Sequence, residues 1–159
     1  VADVFNILDQ PSAGLSNDAV ELIEVAGGQT FGAGTSQVTF DTTRTNTDPG
    51  VFSVASNEVE VLVPGTFRID VSLAGDYNGI SNMHTIIIQV DIGAGFVGLQ
   101  GSAAEINNNS GTTTGSAHRS ATVVFAANDK IRIMIERITA SGVWTIDPNA
   151  GVFSVARLQ

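Results

Sequence analysis

His84 and His118 are the only imidazoles in the chain, and neither has a second ligand at metal-binding spacing. A zinc centre needs three or four converging ligands, so both read as structural or surface histidines. Cysteine is absent, which removes disulfides, thiolate metal sites and thiol nucleophiles. Serine is plentiful, yet there is no Gly-x-Ser-x-Gly elbow and no supported Ser–His–Asp set. Glycan hydrolysis on a β-sandwich would need two carboxylates roughly 5–9.5 Å apart across a groove. Glu58 and Glu60 share one strand face, but they read as solvated edge residues. Asp70, Asp76, Asp91 and Asp129 offer hard oxygen ligands without any calcium-loop pattern. Gly27-Gly28 and Gly32-Ala33-Gly34 lack the strand–loop–helix context of a phosphate cradle and read as loops. No enzymatic constellation emerges, and no cofactor or resident metal is expected.

Recognition chemistry has better candidates. Trp144 lies in Ser141-Gly142-Val143-Trp144-Thr145, between two strand signals, where an aromatic on a loop can be a sugar platform or an interface anchor, although packing on a neighbouring subunit or on its own sandwich is the commoner outcome. Asp76-Tyr77-Asn78-Gly79 reads as a tight turn carrying Tyr77, since Asn-Gly favours positive φ. Residues 107–116 form a polar stretch with no apolar anchor, which predicts an exposed loop presenting Asn108, Asn109 and Thr113.

Most of the chain has the two-residue period of strands. The pattern predicts them at 20–25, 37–40, 51–54, 58–63, 67–73, 86–92, 95–99, 122–125, 131–136 and 152–158. That makes about ten strands with Gly, Pro, Asn or Asp between them, and no long amphipathic helix. An all-β sandwich or barrel follows. The more continuous run at 86–92 predicts a strand buried on both faces. Gly50-Val51-Phe52-Ser53-Val54-Ala55 recurs as Gly151-Val152-Phe153-Ser154-Val155-Ala156. Two copies so far apart are no solenoid; they predict two strands with similar packing demands. Residues 1–13 place Val1, Val4, Phe5 and Leu8 at helical spacing before Pro11. So short a segment holds no helix alone in water. Either it packs on its own domain, or it is an arm that orders on docking. We divide the chain into an arm and link, 1–18, and one domain, 19–159.

With 159 residues the chain is one ordinary domain. Seven basic against sixteen acidic residues leave a net charge of −9. That sign argues against nucleic acid, anionic membranes and heparin-like glycans, which need a basic footprint. Only 14% of residues are charged, against about 25% in soluble domains, and such a chain is expected to hide surface against copies of itself. No apolar run reaches membrane-spanning length, and no signal peptide opens the sequence. The opening Val1-Ala2-Asp3 fits a trimmed initiator Met. The expectation is a nearly complete small protein made in a cytoplasm.

Four segments carry a family pattern. They are Val38-Thr39-Phe40-Asp41 with Gly50-Val51-Phe52; Val61-x-Val63-Pro64-Gly65-x-Phe67; Asn128-Asp129-Lys130-Ile131-x-Ile133; and Val152-Phe153-Ser154-Val155-x-x-Leu158. In this order they resemble the jelly roll shared by tumour necrosis factor and the globular head of complement component one, subcomponent q. Asn128 stands where that family usually has Gly, and Val155 where it has a small residue. The resemblance spans residues 19–159. It implies a ten-stranded, two-sheet jelly-roll sandwich, a tight homotrimer, and binding by loops and subunit clefts rather than catalysis. The family's early Trp and its stalk are missing, which argues against a vertebrate immune role. Such jelly rolls also occur on bacteriophage particles. The expected function is therefore a virion protein on the capsid surface: a trimeric decoration, or cement, protein. Its arm, through Val4, Phe5, Ile7 and Leu8, would grip the major capsid protein of the shell. The alternative is a fibre head that recognises a host receptor through Tyr77, Trp144 and the 107–116 loop.

Overall fold

Alternating apolar and polar residues bury one side of each strand and wet the other, and two such sheets satisfy each other face to face. In the computed structural model this produces two antiparallel sheets; residues 15–78, 83–107, 114–139 and 142–158 are described. Twelve strands and no helix occur among the described residues. They are β1 (Leu15–Glu24), β2 (Thr30–Phe31), β3 (Thr35–Gln37), β4 (Thr42–Asn46), β5 (Phe52–Ala55), β6 (Glu58–Val61), β7 (Gly65–Asn78), β8 (Met83–Asp91), β9 (Phe96–Asn107), β10 (Thr114–Phe125), β11 (Lys130–Arg137) and β12 (Val143–Leu158). Sheet A runs β10-β7-β12-β1-β4, with β2 also on β12; sheet B runs β5-β6-β11-β8-β9, with β3 also on β11. The two principal paths thus hold ten strands. β1 begins at Leu15, inside the stretch read as link, and pairs with Leu158.

The core lies between the sheets. From sheet A, β7 contributes Phe67, Ile69, Val71 and Leu73, and β12 contributes Ile146, Phe153 and Val155; all are essentially buried. From sheet B come Ile86, Ile88, Ile131, Ile133 and Ile135. Ile87 is only half-buried and Ile92 is exposed, so the prediction of burial on both faces of the 86–92 run is corrected. Flanking strands make the run interior within its sheet, while its outward face is partly wet. The repeated hexapeptide ends in opposite sheets with both phenylalanines turned inward. Phe52 meets Phe67 edge-on at 5.8 Å, and Phe153 meets Phe40 at 5.6 Å.

Local chemistry explains the boundaries. Ser56 and Asn57, both at positive φ, close the two-residue β5–β6 hairpin, as a type I′ turn requires. The strand expected at 37–40 leaves the ladder early. Val38 N still bonds Ile133 O at 2.9 Å, but Phe40 N donates to the Asn57 side chain at 3.0 Å. Asn128 has φ 73°, which accounts for Asn in a position where the family pattern carries Gly, because both tolerate the left-handed region. Asn128→Gly is therefore expected to leave stability nearly unchanged. Asn128→Val should cost about 1–2 kcal/mol, read as a lower midpoint in urea.

Candidate functional site

Period two, continued past the expected end of β7, turns Tyr77 inward together with Phe67 and Leu73. Its ring covers Gly115 on β10, where an added Cβ would come within 2.6 Å of Cε2, and its hydroxyl donates to the Ile106 carbonyl oxygen. Burial pushes that hydroxyl up to about 12. Trp144, near the start of β12, is wholly buried and pairs in register with Tyr77 on one side and Phe31 on the other. His84 enters from β8 in the opposite sheet. Its ring lies 5.6 Å from Tyr77 and 6.4 Å from Trp144, and Phe31 lies 5.8 Å from Trp144. His84 Nε2 is 3.0 Å from the Phe31 carbonyl oxygen. Burial, with the nearby Arg137 charge, holds its pKa below the ordinary histidine value against the opposing pull of the Phe31 bond.

Two sequence expectations fail here. Tyr77 and Trp144 are not on exposed loops: the strands extend to include both, and the aromatic cluster closes this end of the sandwich. Asp76, Tyr77 and Asn78 lie in β7 rather than in a turn. Thr114, Gly115 and Ser116 likewise begin β10, paired with Asp76, Gly75 and Ala74, rather than lying in the predicted loop. Asn108, Asn109 and Thr113 lie outside the described residues, as do Val4, Phe5, Ile7 and Leu8.

The other candidates have local partners. His118 is exposed, with Nε2 3.7 Å from Asp70 Oδ1. Asp70 also meets Arg68 at 2.8 Å. Asp76 accepts from the Thr114 hydroxyl at 3.1 Å. Asp91 accepts from Gly93 N and Gly95 N, both at 2.9 Å, and shapes the β8–β9 turn. Asp129 accepts from Ala126 N at 2.8 Å in the turn before β11. These acids do not converge, and among the described residues no group of three or more His, Asp or Glu does. Glu58 and Glu60 are half-buried on β6, which has β5 and β11 on its two sides; reading them as edge residues is corrected.

No protein-family model matches the chain, and no curated protein matches it in sequence. Solved structures do match in shape. Eiger TNF from S. frugiperda superposes with a TM-score of 0.66 at 10% identity, covering 89% of this chain and 92% of that one. Murine APRIL gives 0.66 at 9% identity, covering 87% and 98%. The globular domain of zebrafish complement 1qA protein gives 0.57 at 16% identity, covering 87% and 94%. This chain has the tumour necrosis factor-like jelly-roll fold.

The outward face of sheet A mixes small side chains with a few charged and aliphatic ones. Cross-strand rows run Ala19–Ala156–Arg68–Thr122, Glu21–Ser154–Asp70–Ser120 and Ile23–Val152–Ser72–His118. Val124, toward the end of β10, is 74% exposed. Charges on this face pair within the chain: Arg44 with Glu21 at 2.7 Å, Arg68 with Asp70. Sequence reasoning did not find this face, since it arises from registers between strands distant in the chain. The alternation at 116–124 and 152–158 was its available signal.

Proposed function

We propose that the chain is a non-enzymatic structural protein of a virion, a homotrimeric jelly roll that decorates a bacteriophage capsid. The fold-level likeness to Eiger TNF and the complement 1qA globular domain supports a binding or assembly role. The outward face of sheet A is the observation that carries the reading. Its many small side chains, with Arg44 paired to Glu21 and Arg68 to Asp70 within the chain, let a second copy approach without stranding those ions in a dry interface. Closed threefold symmetry suits the local threefold positions of an icosahedral shell. Three arms, each with Val4, Phe5, Ile7 and Leu8, would then grip the major capsid protein together, so that weak single contacts add through effective concentration. The net charge of −9 discourages non-specific adhesion to nucleic acid.

Sedimentation or native mass spectrometry of the whole chain should give the mass of three copies, persisting on dilution. A monomer would overturn the assembly. Removing residues 1–13 should leave the trimer folded and abolish capsid binding in co-sedimentation. If the shortened protein still saturates capsids, the docking role of the arm is wrong.

A further inference from the structure

We propose that residues 25–31 form a strap across one end of the sandwich, latched by His84 at neutral pH and released in acid. The strap runs from the end of β1 through β2, and many separate bonds hold it. Val25 N and Ala26 N donate to Asp41 at 3.1 and 2.8 Å, and Gly27 N to Glu24 Oε1 at 2.7 Å. Gly28 N reaches Ile146 O at 2.9 Å, and Ile146 N reaches Gln29 O at 3.0 Å. All of these tie the strap to its own sheet or to the adjoining loop. The His84–Phe31 bond instead crosses from β8 of sheet B, so it fastens the strap to the opposite half of the fold.

The chemistry of that bond makes it sensitive to protons. A carbonyl oxygen only accepts, so Nε2 must carry the hydrogen, and the neutral ring leaves Nδ1 bare. Nδ1 is buried and has no hydrogen-bond partner among the described residues. The groups around the ring are Tyr77 from β7, Trp144 from β12, Phe31 from β2, Ile106 in register on β9 and Arg137 in register on β11. Of these only Tyr77 and Arg137 titrate, and neither supplies an anion in acid. Glu105 and Glu136 are in register with Thr85, one residue along, whose side chain alternates to the other face of the sheet. Protonating Nδ1 would therefore bury a charged donor beside a cation and without an acceptor, which is costly. The ring avoids this by reaching water, and that requires letting go of Phe31.

Because the closed state holds the His84 pKa down, the open state binds more protons in weak acid. The latch is at full strength above the ordinary histidine pKa of about 6.5. Below it, the opening equilibrium rises by up to about tenfold per pH unit, until the depressed pKa of the closed state is reached. Two carboxylates also grip the strap. Asp41 is held below its ordinary value by the Ala26 and Val25 amides, so it stays ionised through this range. Glu24 is raised by burial, so its protonation favours the closed strap and opposes acid release. A His84 variant separates the two effects.

Hydrogen exchange followed by mass spectrometry on the full chain, at several values between pH 7.5 and 5 and corrected for intrinsic rates, tests the proposal. Peptides covering 25–31 should lose protection about tenfold or more across the range, while the central strands β7 and β11 hold theirs. His84→Gln keeps an amide donor for Phe31 O and has no proton to gain, so it should abolish the acid-induced loss; His118→Gln should leave it intact. Equal acid sensitivity in wild type and His84→Gln would overturn the proposal, as would a wild-type strap indifferent to pH. Should His84→Gln fail to fold, proton NMR of the wild type decides, with only two imidazoles to assign. The His84 ring should titrate below the ordinary value, and a midpoint at or above about 6.5 would overturn the latch.

Discussion

Trp144→Ala is expected to destabilise the protein by about 3–5 kcal/mol, the scale of emptying a large aromatic site in a packed core. Trp144 is 0% exposed and sits between Phe31, His84 and Tyr77, so nothing nearby can collapse into the space without breaking the register of β12 with β2 or β7. The loss should lower the thermal midpoint by about 10 °C or more for a chain of this size, and lower the urea midpoint at constant slope. Both are read at fixed protein concentration. A recognition residue on a loop behaves otherwise: its removal abolishes binding and leaves stability within about 0.5 kcal/mol. A variant of unchanged stability would contradict the buried cluster. Trp144→Phe should recover about half of the loss, since the ring still fills much of the site.

Gly75→Ala is expected to cost about 3 kcal/mol or more, near the top of the range for overpacking. Gly75 has no unusual φ, so conformational freedom is not what requires glycine. A Cβ there would overlap the Thr145 carbonyl oxygen and come within 2.9 Å of Ile146 Cα. These are backbone atoms that cannot rotate away. The close approach comes from the irregularity in β12. Ile146 pairs with Gly75 and Gly151 with Leu73, so residues 147–150 of β12 face Ala74 alone on β7. Pro148, which cannot donate to a ladder, sits in that bulge, where proline is tolerated. Relieving the overlap means parting β7 from β12 at the centre of sheet A. Gly98→Ala is the control. Its Cβ would meet Ile87 Cγ2 at an ordinary 3.5 Å, and a small gain from reduced chain entropy is expected. Equal urea midpoints for the two variants would contradict the close approach.

The sequence by itself determined the class of fold, because alternation is a local property that each segment carries independently. Phe67, Ile69, Val71 and Leu73 declared their buried side without reference to any partner, and the same holds for Ile131, Ile133 and Ile135. The turn before β11 was equally legible, since Asn128-Asp129 stood where the family pattern has a Gly-Asp turn, although the left-handed φ of Asn128 came only with the structure. The missed strands were β2, of two residues, and β4, Thr42–Asn46, whose nearly all-exposed side chains show no buried alternation. Only the tertiary structure decided where strands end and what their ends meet. Tyr77 followed turn-forming chemistry in sequence, and Trp144 stood between two strand signals. Pairing between β7 and β12, nearly seventy residues apart along the chain, extended both strands and drew these rings together with His84 of the opposite sheet. No local rule could foresee that, because the energy that buries Trp144 comes from surfaces brought together by folding. The outward face of sheet A and the His84 latch have the same origin: each depends on cross-strand register, which exists only once distant segments have paired.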